Sequence, residues 1–472
     1  MLNKKTELNK VLGLVITDGV GYRNFILSDF KNTVFSKFDH IVVFSGLPQK
    51  VFADLDQQKI IIVELPVFKE TKRQWFWRKL RETAHLQMFR NNAGMLDNLK
   101  ANYRKGWKPN DILIKIIYAW SKISPSEKSV QRFERYHINS FKRDEVFLKT
   151  EELLKTHKTD LVFFTHQRPP FVATIAHAAK KLKISTATFI FSWDNLASKG
   201  RMASTFNHHL VWSDLMKDEL LEFYQDIAEQ QVAVVGTPQF EPYVIDGYNR
   251  SEDWFYTHFR LERNKKIICY SCADKSIGAN DPIVIGCIAQ AIDNGSIPNA
   301  QLLVRTSPAE DESRFLTKKN EFPGILWNHP DWHLSRENHP EPWSQRIPLE
   351  DDVAQLKAVL KYSDLNINMC STMSLDFMIF DKPVINTVFG NEENGLYNDQ
   401  RFLEYTHYKR VVESGAVSIA KNTEELIDQI NFSLENPQAR LQQQRELVKL
   451  QISKPLEGTS QRIASVLSQL AN

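Results

Sequence analysis

The chain has 472 residues, 42% of them hydrophobic and 25% charged, an ordinary globular composition with room for roughly two to four domains. Sixty basic residues against fifty-seven acidic ones leave a formal charge of +3; so even a balance excludes a chain that grips a phosphate polymer over its whole surface and predicts no nucleic-acid partner. Its four cysteines, Cys269, Cys272, Cys287 and Cys370, are too few for a disulfide framework and predict a reducing, cytoplasmic compartment.

In chain order, a charged amino terminus precedes an apolar stretch at 11–16 that is too short for a signal-peptide core. No run of about 18 apolar residues follows that could span a bilayer. The dominant signal is a short apolar run ending in a turn and then a helical pattern, the mark of buried parallel strands with crossover helices. Such runs stand at 11–17, 40–45, 59–65, 160–166, 186–192, 209–213 and 232–236, with helices predicted at 171–182 and 215–224. They restart at 266–272, 301–306, 324–328, 365–370 and 383–389, with helices at 282–293 and 351–362. A dozen strands suit two sheets better than one, so an α/β chain of two Rossmann-like domains facing across a cleft is expected. The turn-rich Gly236-Thr-Pro-Gln-Phe and the polar stretch behind it put the junction near 243–251. The domains then run 1–245 and 246–455, with a terminal helix at 456–472 expected to pack back on the first.

Residues 68–142 interrupt the alternation as a helical insertion. Within it FKETKRQWFWRKLR sets Lys69, Lys72, Arg73, Arg78, Lys79 and Arg81 around Trp75, Phe76 and Trp77. Two readings compete: aromatics packed inward with solvated charges, or a membrane-surface contact through 68–105, peripheral on the inner face.

Ligands in open α/β sheets bind beyond the carboxyl ends of the strands, so the residues after each run carry the search. In the second half these are Ser271, Arg305 and the segment from Cys370. A helix starting near Ser371 would gather the Ser371, Thr372 and Ser374 hydroxyls beside free backbone N–H groups, an anion seat. Asp376, further along, could accept hydrogen bonds from a sugar's hydroxyls. Arg305 could meet leaving-group charge. In the first half, His166, Asp194 and Asp18 each follow a strand and are candidates for a catalytic base. Arg168, Asn195, Lys199 and Arg201 could hold an anionic acceptor or the donor phosphates. Asp18-Gly-Val-Gly-Tyr-Arg-Asn24 lacks the third glycine and the acidic strand end of a dinucleotide fingerprint, which disfavours an oxidoreductase; its glycines would let an acceptor approach the backbone. His208-His209 and Cys269-x-x-Cys272 have the wrong spacing for a metal site. No metal and no cofactor beyond the activated donor is expected. Residues 391–407, with Tyr397, Asp399 and His407, read as a solvated loop leading into a helix.

The run SDLNINMCSTMSLDFMIFDKPVIN resembles the donor segment of the GT-B glycosyltransferase superfamily, especially its CDP-glycerol glycerophosphotransferase and capsular-polysaccharide branch. Ser371 and Thr372 match the small pair of that pattern, Asp376 its carboxylate, and Lys382-Pro383-Val384-Ile385 the next strand start. Trp193-Asp194-Asn195, Ser198-Lys199-Gly200-Arg201 and Gly236–Phe240 are similar to first-domain segments of the same transferases. The resemblance implies that Ser371 and Thr372 meet donor phosphate and that Asp376 meets donor hydroxyls. It implies transfer of a sugar or phospho-polyol from a nucleotide-activated donor to a glycan or lipid-linked glycan acceptor. A nucleotide-sugar epimerase of the same architecture and a noncatalytic nucleotide-sugar-binding protein are the alternatives. Residues 68–142 carry no resemblance that places them.

Overall fold

The computed structural model describes residues 10–55, 58–390 and 398–471. They form two compact units. The first joins the residues up to Glu241 with Leu334–Ile347 and the segment from Ser453; the second comprises Pro242–His333 and Pro348–Ile452.

In the first unit, β1 (Val11–Ile16), β2 (His40–Ser45), β3 (Ile60–Glu64), β4 (Leu161–Phe164), β5 (Ser185–Phe189), β6 (His208–Val211) and β7 (Val232–Val234) build one sheet. Its order is β3-β2-β1-β4-β5-β6-β7, and every pairing is parallel. The continuous apolar runs have this physical cause: helices cover both faces, so successive side chains on opposite faces are alike buried, as in β4 (Leu161, Val162, Phe163 and Phe164). The second unit repeats the plan with β8 (Lys266–Ser271), β9 (Ala300–Arg305) and β10 (Leu326–Asn328). The short β11 (Trp332–Leu334) and β12 (Arg346–Pro348) pair with each other. Then β13 (Leu365–Asn368), β14 (Val384–Thr387) and β15 (Ser418–Ala420) complete a parallel sheet of order β10-β9-β8-β13-β14-β15. The run-counting missed three strands, β11, β12 and β15, of three residues each.

In both sheets the strand order reverses beside the first strand, between β1 and β4 and between β8 and β13. Loops on either side of such a switch point diverge and leave a crevice at the carboxyl ends.

Between β3 and β4 the insertion at 68–142 folds as four helices, Lys72–Met88, Ala93–Asn102, Pro109–Ile123 and Glu127–Ser140, and a fifth, Glu145–Thr156, leads into β4. Thr71 and Gln74 start the first with a reciprocal capping box. Leu80, Ala84, Ile117, Val130 and Phe133 form the insertion's own core, and Trp75, Phe76 and Trp77 pack against it. Those aromatics therefore face protein, which corrects the lipid-facing reading of FKETKRQWFWRKLR. Part of its charge is also engaged: Arg78 bonds Glu70 at 2.6 Å and Glu82 at 2.8 Å, and the fully buried Arg81 donates to the carbonyls of Met202 and Ala203 at 2.5 and 2.7 Å, while Lys69, Lys72 and Arg73 are exposed. Among the described residues no helix is long and apolar enough to cross a membrane.

The tail forms Thr423–Glu435, Leu441–Ile452 and Thr459–Leu470. The last lies in the first unit, where Ser460 N–H donates to Glu241 at 2.9 Å and Arg462 Nε to the Val235 carbonyl at 3.0 Å. Gly236 turns there with φ +86°, a left-handed conformation in which a side chain would be strained.

The sequence gives no sign of one feature, the return of Leu334–Ile347 to the first unit. A β-carbon on Gly19 would come within 1.7 Å of the Arg346 carbonyl oxygen, and one on Gly21 within 2.8 Å of Thr165 Oγ1. The glycines after β1 thus admit the chain itself, which replaces the expectation that they admit a substrate.

Candidate functional site

The switch point of the first sheet brings together two residues 148 positions apart. β1 and β4 are direct neighbours, Val15 opposite Phe164, so Asp18 and His166 leave the same crevice edge. His166 Nδ1 lies 3.0 Å from Asp18 Oδ2. Asp18 caps the short helix Gly19–Phe25, accepting the Gly21 N–H at 2.8 Å, and takes the Thr17 hydroxyl at 2.6 Å. Burial alone would raise the Asp18 carboxyl, but the hydrogen bond and charge of His166, with Thr17 and Gly21, bring it below its usual value. An ionised carboxylate only accepts, so the proton between the pair belongs to His166 Nδ1. The neutral imidazole then carries its lone pair on Nε2, which is the arrangement a general base needs. Phe191 stacks on the ring at 3.8 Å with a 14° interplanar angle and fixes its plane. Asp18 is a positioning residue in this arrangement and His166 is the group that can accept a proton.

Asp194 is occupied differently. It accepts from Asn195 Nδ2 at 3.0 Å and lies 3.4 Å from Lys199 Nζ. Asn195 also receives Gln167 Nε2 at 3.0 Å, while Gln167 Oε1 takes the Phe191 N–H at 3.1 Å. This chain of amides ties the Trp193-Asp194-Asn195 turn to the loop that bears His166, and Gln167 is a part the sequence reading did not single out. Arg201 is only 5% exposed; it holds Glu127 bidentately at 3.0 and 2.6 Å and Asp226 at 2.7 Å. Its expected role at an acceptor or phosphate is corrected: two carboxylates already consume its charge. Arg168, two residues beyond His166, is half-buried and, among the described residues, pairs with no carboxylate.

The switch point of the second sheet lies between Ser271 and the loop after β13. Cys370 takes φ +48° there, a conformation uncommon outside glycine that marks a constrained turn. Ser371 and Thr372 follow it, both half-buried. The helix is six residues, Met373–Met378, starting two residues later than expected, and Ser371 Oγ accepts the Met373 N–H at 3.3 Å. Behind the turn runs a fully buried network. Asn366 Nδ2 donates to Ser271 Oγ at 2.9 Å, Asn368 Nδ2 to Asn366 Oδ1 at 2.7 Å and to Ser374 Oγ at 3.1 Å, and Asn368 Oδ1 accepts the Ser371 N–H at 2.8 Å. Asn386 Nδ2 reaches Asn368 Oδ1 at 3.1 Å, and the Tyr408 hydroxyl donates to Asn386 at 2.7 Å. Satisfied amide ladders of this kind rigidify what they touch, and here they hold the Ser371 turn. Their signal in the sequence is the pair of asparagines in LNINM, two apart and so on one face of a strand otherwise apolar.

Four expected donor contacts are therefore internal. Ser271 and Ser374 belong to the amide ladder. Asp376 is 2% exposed and accepts the Tyr243 hydroxyl. Arg305 grips both oxygens of Asp352 at 2.9 and 3.0 Å and also bonds Asn328. The cause is the same in each case: a polar side chain at the end of a buried strand is desolvated and must take a protein partner. The loop at 391–407 is also corrected in part: Tyr397 lies outside the described residues, whereas Asp399 and His407 are buried, Asp399 accepting Asn280 Nδ2 at 2.5 Å. Among the described residues no three His, Cys, Asp or Glu side chains are arranged to hold a metal ion.

The profile of the family described as CDP-Glycerol:Poly(glycerophosphate) glycerophosphotransferase matches residues 71–467. The chain belongs to that family. The match takes in nearly all of the helical insertion, for which the sequence offered no resemblance. Membership in the glycerophosphotransferase family makes the chain a transferase, and solved structures place its fold in the GT-B class. A protein from Listeria monocytogenes assigned as a UDP-N-acetylglucosamine 2-epimerase aligns at TM-score 0.54 and 10% identity, over 98% of this chain and 96% of that one. The S. aureus MnaA–UDP co-structure gives 0.51 and 12%, over 97% and 95%. A glycosyltransferase from Rickettsia africae gives 0.50 and 12%, over 98% of both chains. At such identities the likeness is one of fold. Among curated proteins no sequence matches.

Proposed function

We propose that this glycerophosphotransferase-family chain moves glycerol phosphate, or a closely similar phospho-polyol, from a cytidine-diphosphate-activated donor to a hydroxyl of a glycan or lipid-linked glycan. The observation that carries the chemistry is the Asp18–His166 pair, buried at a switch point with Nε2 left as the basic nitrogen. The acceptor hydroxyl attacks the glycerol-bearing phosphorus as His166 Nε2 takes its proton. The bond from that phosphorus to the bridging oxygen breaks, and CMP leaves with the oxygen and its electron pair. Asp18 stabilises the imidazolium that forms. Arg168, which pairs with no carboxylate among the described residues, meets an anionic acceptor, and the Ser371 and Thr372 hydroxyls are the donor's phosphate contacts.

The test is acceptor-dependent release of CMP from CDP-glycerol by the purified chain with a glycerol-phosphate-primed glycan. Conversion of a nucleotide sugar without any acceptor would move the assignment to an epimerase, and binding without consumption across donors would move it to a carrier. In the same assay, Ser371→Ala/Thr372→Ala is expected to keep its melting temperature and lose about tenfold or more in CDP-glycerol affinity, the worth of one charge-assisted hydrogen bond. Unchanged affinity by calorimetry would remove the pair from the donor site.

A further inference from the structure

The loop that leaves β8 ends at Asn280, the N-cap of the helix Asp281–Asp293. An asparagine oxygen there ordinarily takes a first-turn N–H, yet the Asn280 side chain makes no such bond. Its Nδ2 donates instead to Asp399 Oδ2 at 2.5 Å. A carboxylate oxygen only accepts, so the nitrogen is fixed toward Asp399 and Oδ1 is the atom turned away from it. Asn280 is 5% exposed and Asp399 6%, and Asn280 Oδ1 is buried without a hydrogen-bond partner, an unmet acceptor that costs folding free energy. The amide is also held in place. Asp281 accepts the Tyr270 hydroxyl at 2.9 Å and the Ala273 N–H at 3.0 Å, and Arg314 donates to the Gly278 and Ala273 carbonyls at 2.5 Å each, so the loop is pinned near both ends. A β-carbon on Gly390 would stand 2.5 Å from Asn280 Oδ1 and 2.6 Å from both Cγ and Nδ2. Such near-equal distances put Gly390 over the face of the amide and leave the in-plane lone pairs of Oδ1 clear of it. Burial and then the Asp399 charge push up the Cys370 thiol, so Asp399 lies beside the residue that precedes Ser371. Within the second unit the pair thus spans the crevice from the loop after β8 to the turn after β13.

We infer, on the transfer reading above, that Asn280 and Asp399 form a specificity-determining acceptor pair for a vicinal diol of the nucleotide-activated donor. The two oxygens left over, Asn280 Oδ1 and Asp399 Oδ1, both accept, and the cation nearest the second, Arg401 Nη1, stands at 3.9 Å, beyond hydrogen-bond distance. Two neighbouring acceptors are matched by a group that brings two O–H donors. Asp376, where the sequence placed that contact, is 2% exposed and accepts the Tyr243 hydroxyl instead. A CDP-glycerol donor carries two such diols, one on its ribose and one on its glycerol.

The experiment is calorimetry of the full chain with CDP-glycerol, with its analogue lacking both ribose hydroxyls, and with the propanol ester of CDP, which lacks both glycerol hydroxyls. In the parent chain at least one analogue is expected to bind about tenfold or more weakly than CDP-glycerol. Asn280→Ala and Asp399→Asn should each weaken CDP-glycerol about tenfold and shrink that difference to within about twofold, a coupling that a merely structural role does not produce. The analogue whose deficit shrinks tells ribose from glycerol. Melting temperatures check folding; Asp399→Asn keeps the shape of its side chain, and the comparison of donors on the parent chain needs no variant. Equal affinity for all three donors, or a diol preference that both variants retain, would overturn the inference, while acceptor-dependent CMP release from CDP-glycerol leaves the transfer reading standing. A parent chain that binds no cytidine-diphosphate donor would overturn both.

Discussion

His166→Gln is expected to lower kcat by about 10²- to 10⁴-fold, the usual worth of a positioned general base, with CDP-glycerol affinity and melting temperature close to the parent's. Asp18→Asn should fall into the same range. Its amide would leave the imidazole free to carry its proton on Nε2, the atom that has to accept one. Because Asp18 also caps a helix through Gly21, the informative readout is the split: kcat falls while donor binding stays. Asp194→Ala, which removes a carboxylate already engaged with Asn195 and Lys199, is expected to keep activity within a few-fold. The reverse ranking, with Asp194→Ala inactive and His166→Gln active, would transfer the base to Asp194.

The second large effect is on stability. His85, His137, His177 and His209 are buried in the first unit, and each leaves at least one ring nitrogen without a hydrogen-bond partner. Burial depresses all four: His177 and His209 to about 3, His85 and His137 well below their ordinary value. Arg81 and Arg201 add repulsion at His85, and Arg81 also at His137 and His177, where Glu134 opposes it. The unfolded chain therefore binds more protons than the folded one once pH drops below about 6.5. The stability these neutral rings support is complete above that pH and declines as pH falls toward 3. Each ring costs on the order of 1 kcal/mol between pH 6 and 5, so four remove several kcal/mol, a large part of an ordinary domain's stability. Thermal melts from pH 7.5 to 5 should show a steep fall, and His177→Gln should flatten it. Carboxylates do not produce a fall in this window: Asp281, which burial raises to about 7, takes up its proton in the folded state and works against the fall, and Glu82, held at about 2 chiefly by Arg78 against its burial, loses its contribution only below about pH 4.5. A flat profile to pH 5 would mean that these rings find partners.

The two halves of the proposed reaction differ in how they were legible. The residue types at the strand ends are local facts, and His166 and Asp18 both stood out in the sequence for the same reason, each following an apolar run. Nothing in the sequence joined them. Arg201 and Arg305 stood out equally, yet Glu127 with Asp226 and Asp352 absorb their charges. A buried cation draws its carboxylate from wherever the chain passes, and that partner lies 74 positions from Arg201 in one case and 47 from Arg305 in another.

By itself the sequence determined the α/β class, twelve of the strands, the crossover helices and the strand-end positions where chemistry could sit. Each of these depends on periodicity or a turn within a dozen residues, and burial on both faces writes that pattern directly into composition. The tertiary structure alone decided which candidates meet, which charges are spent, and that Leu334–Ile347 closes on Gly19 of the first unit. Those outcomes rest on contacts between distant segments, where desolvation forces each buried polar group to take the partner that folding brings beside it.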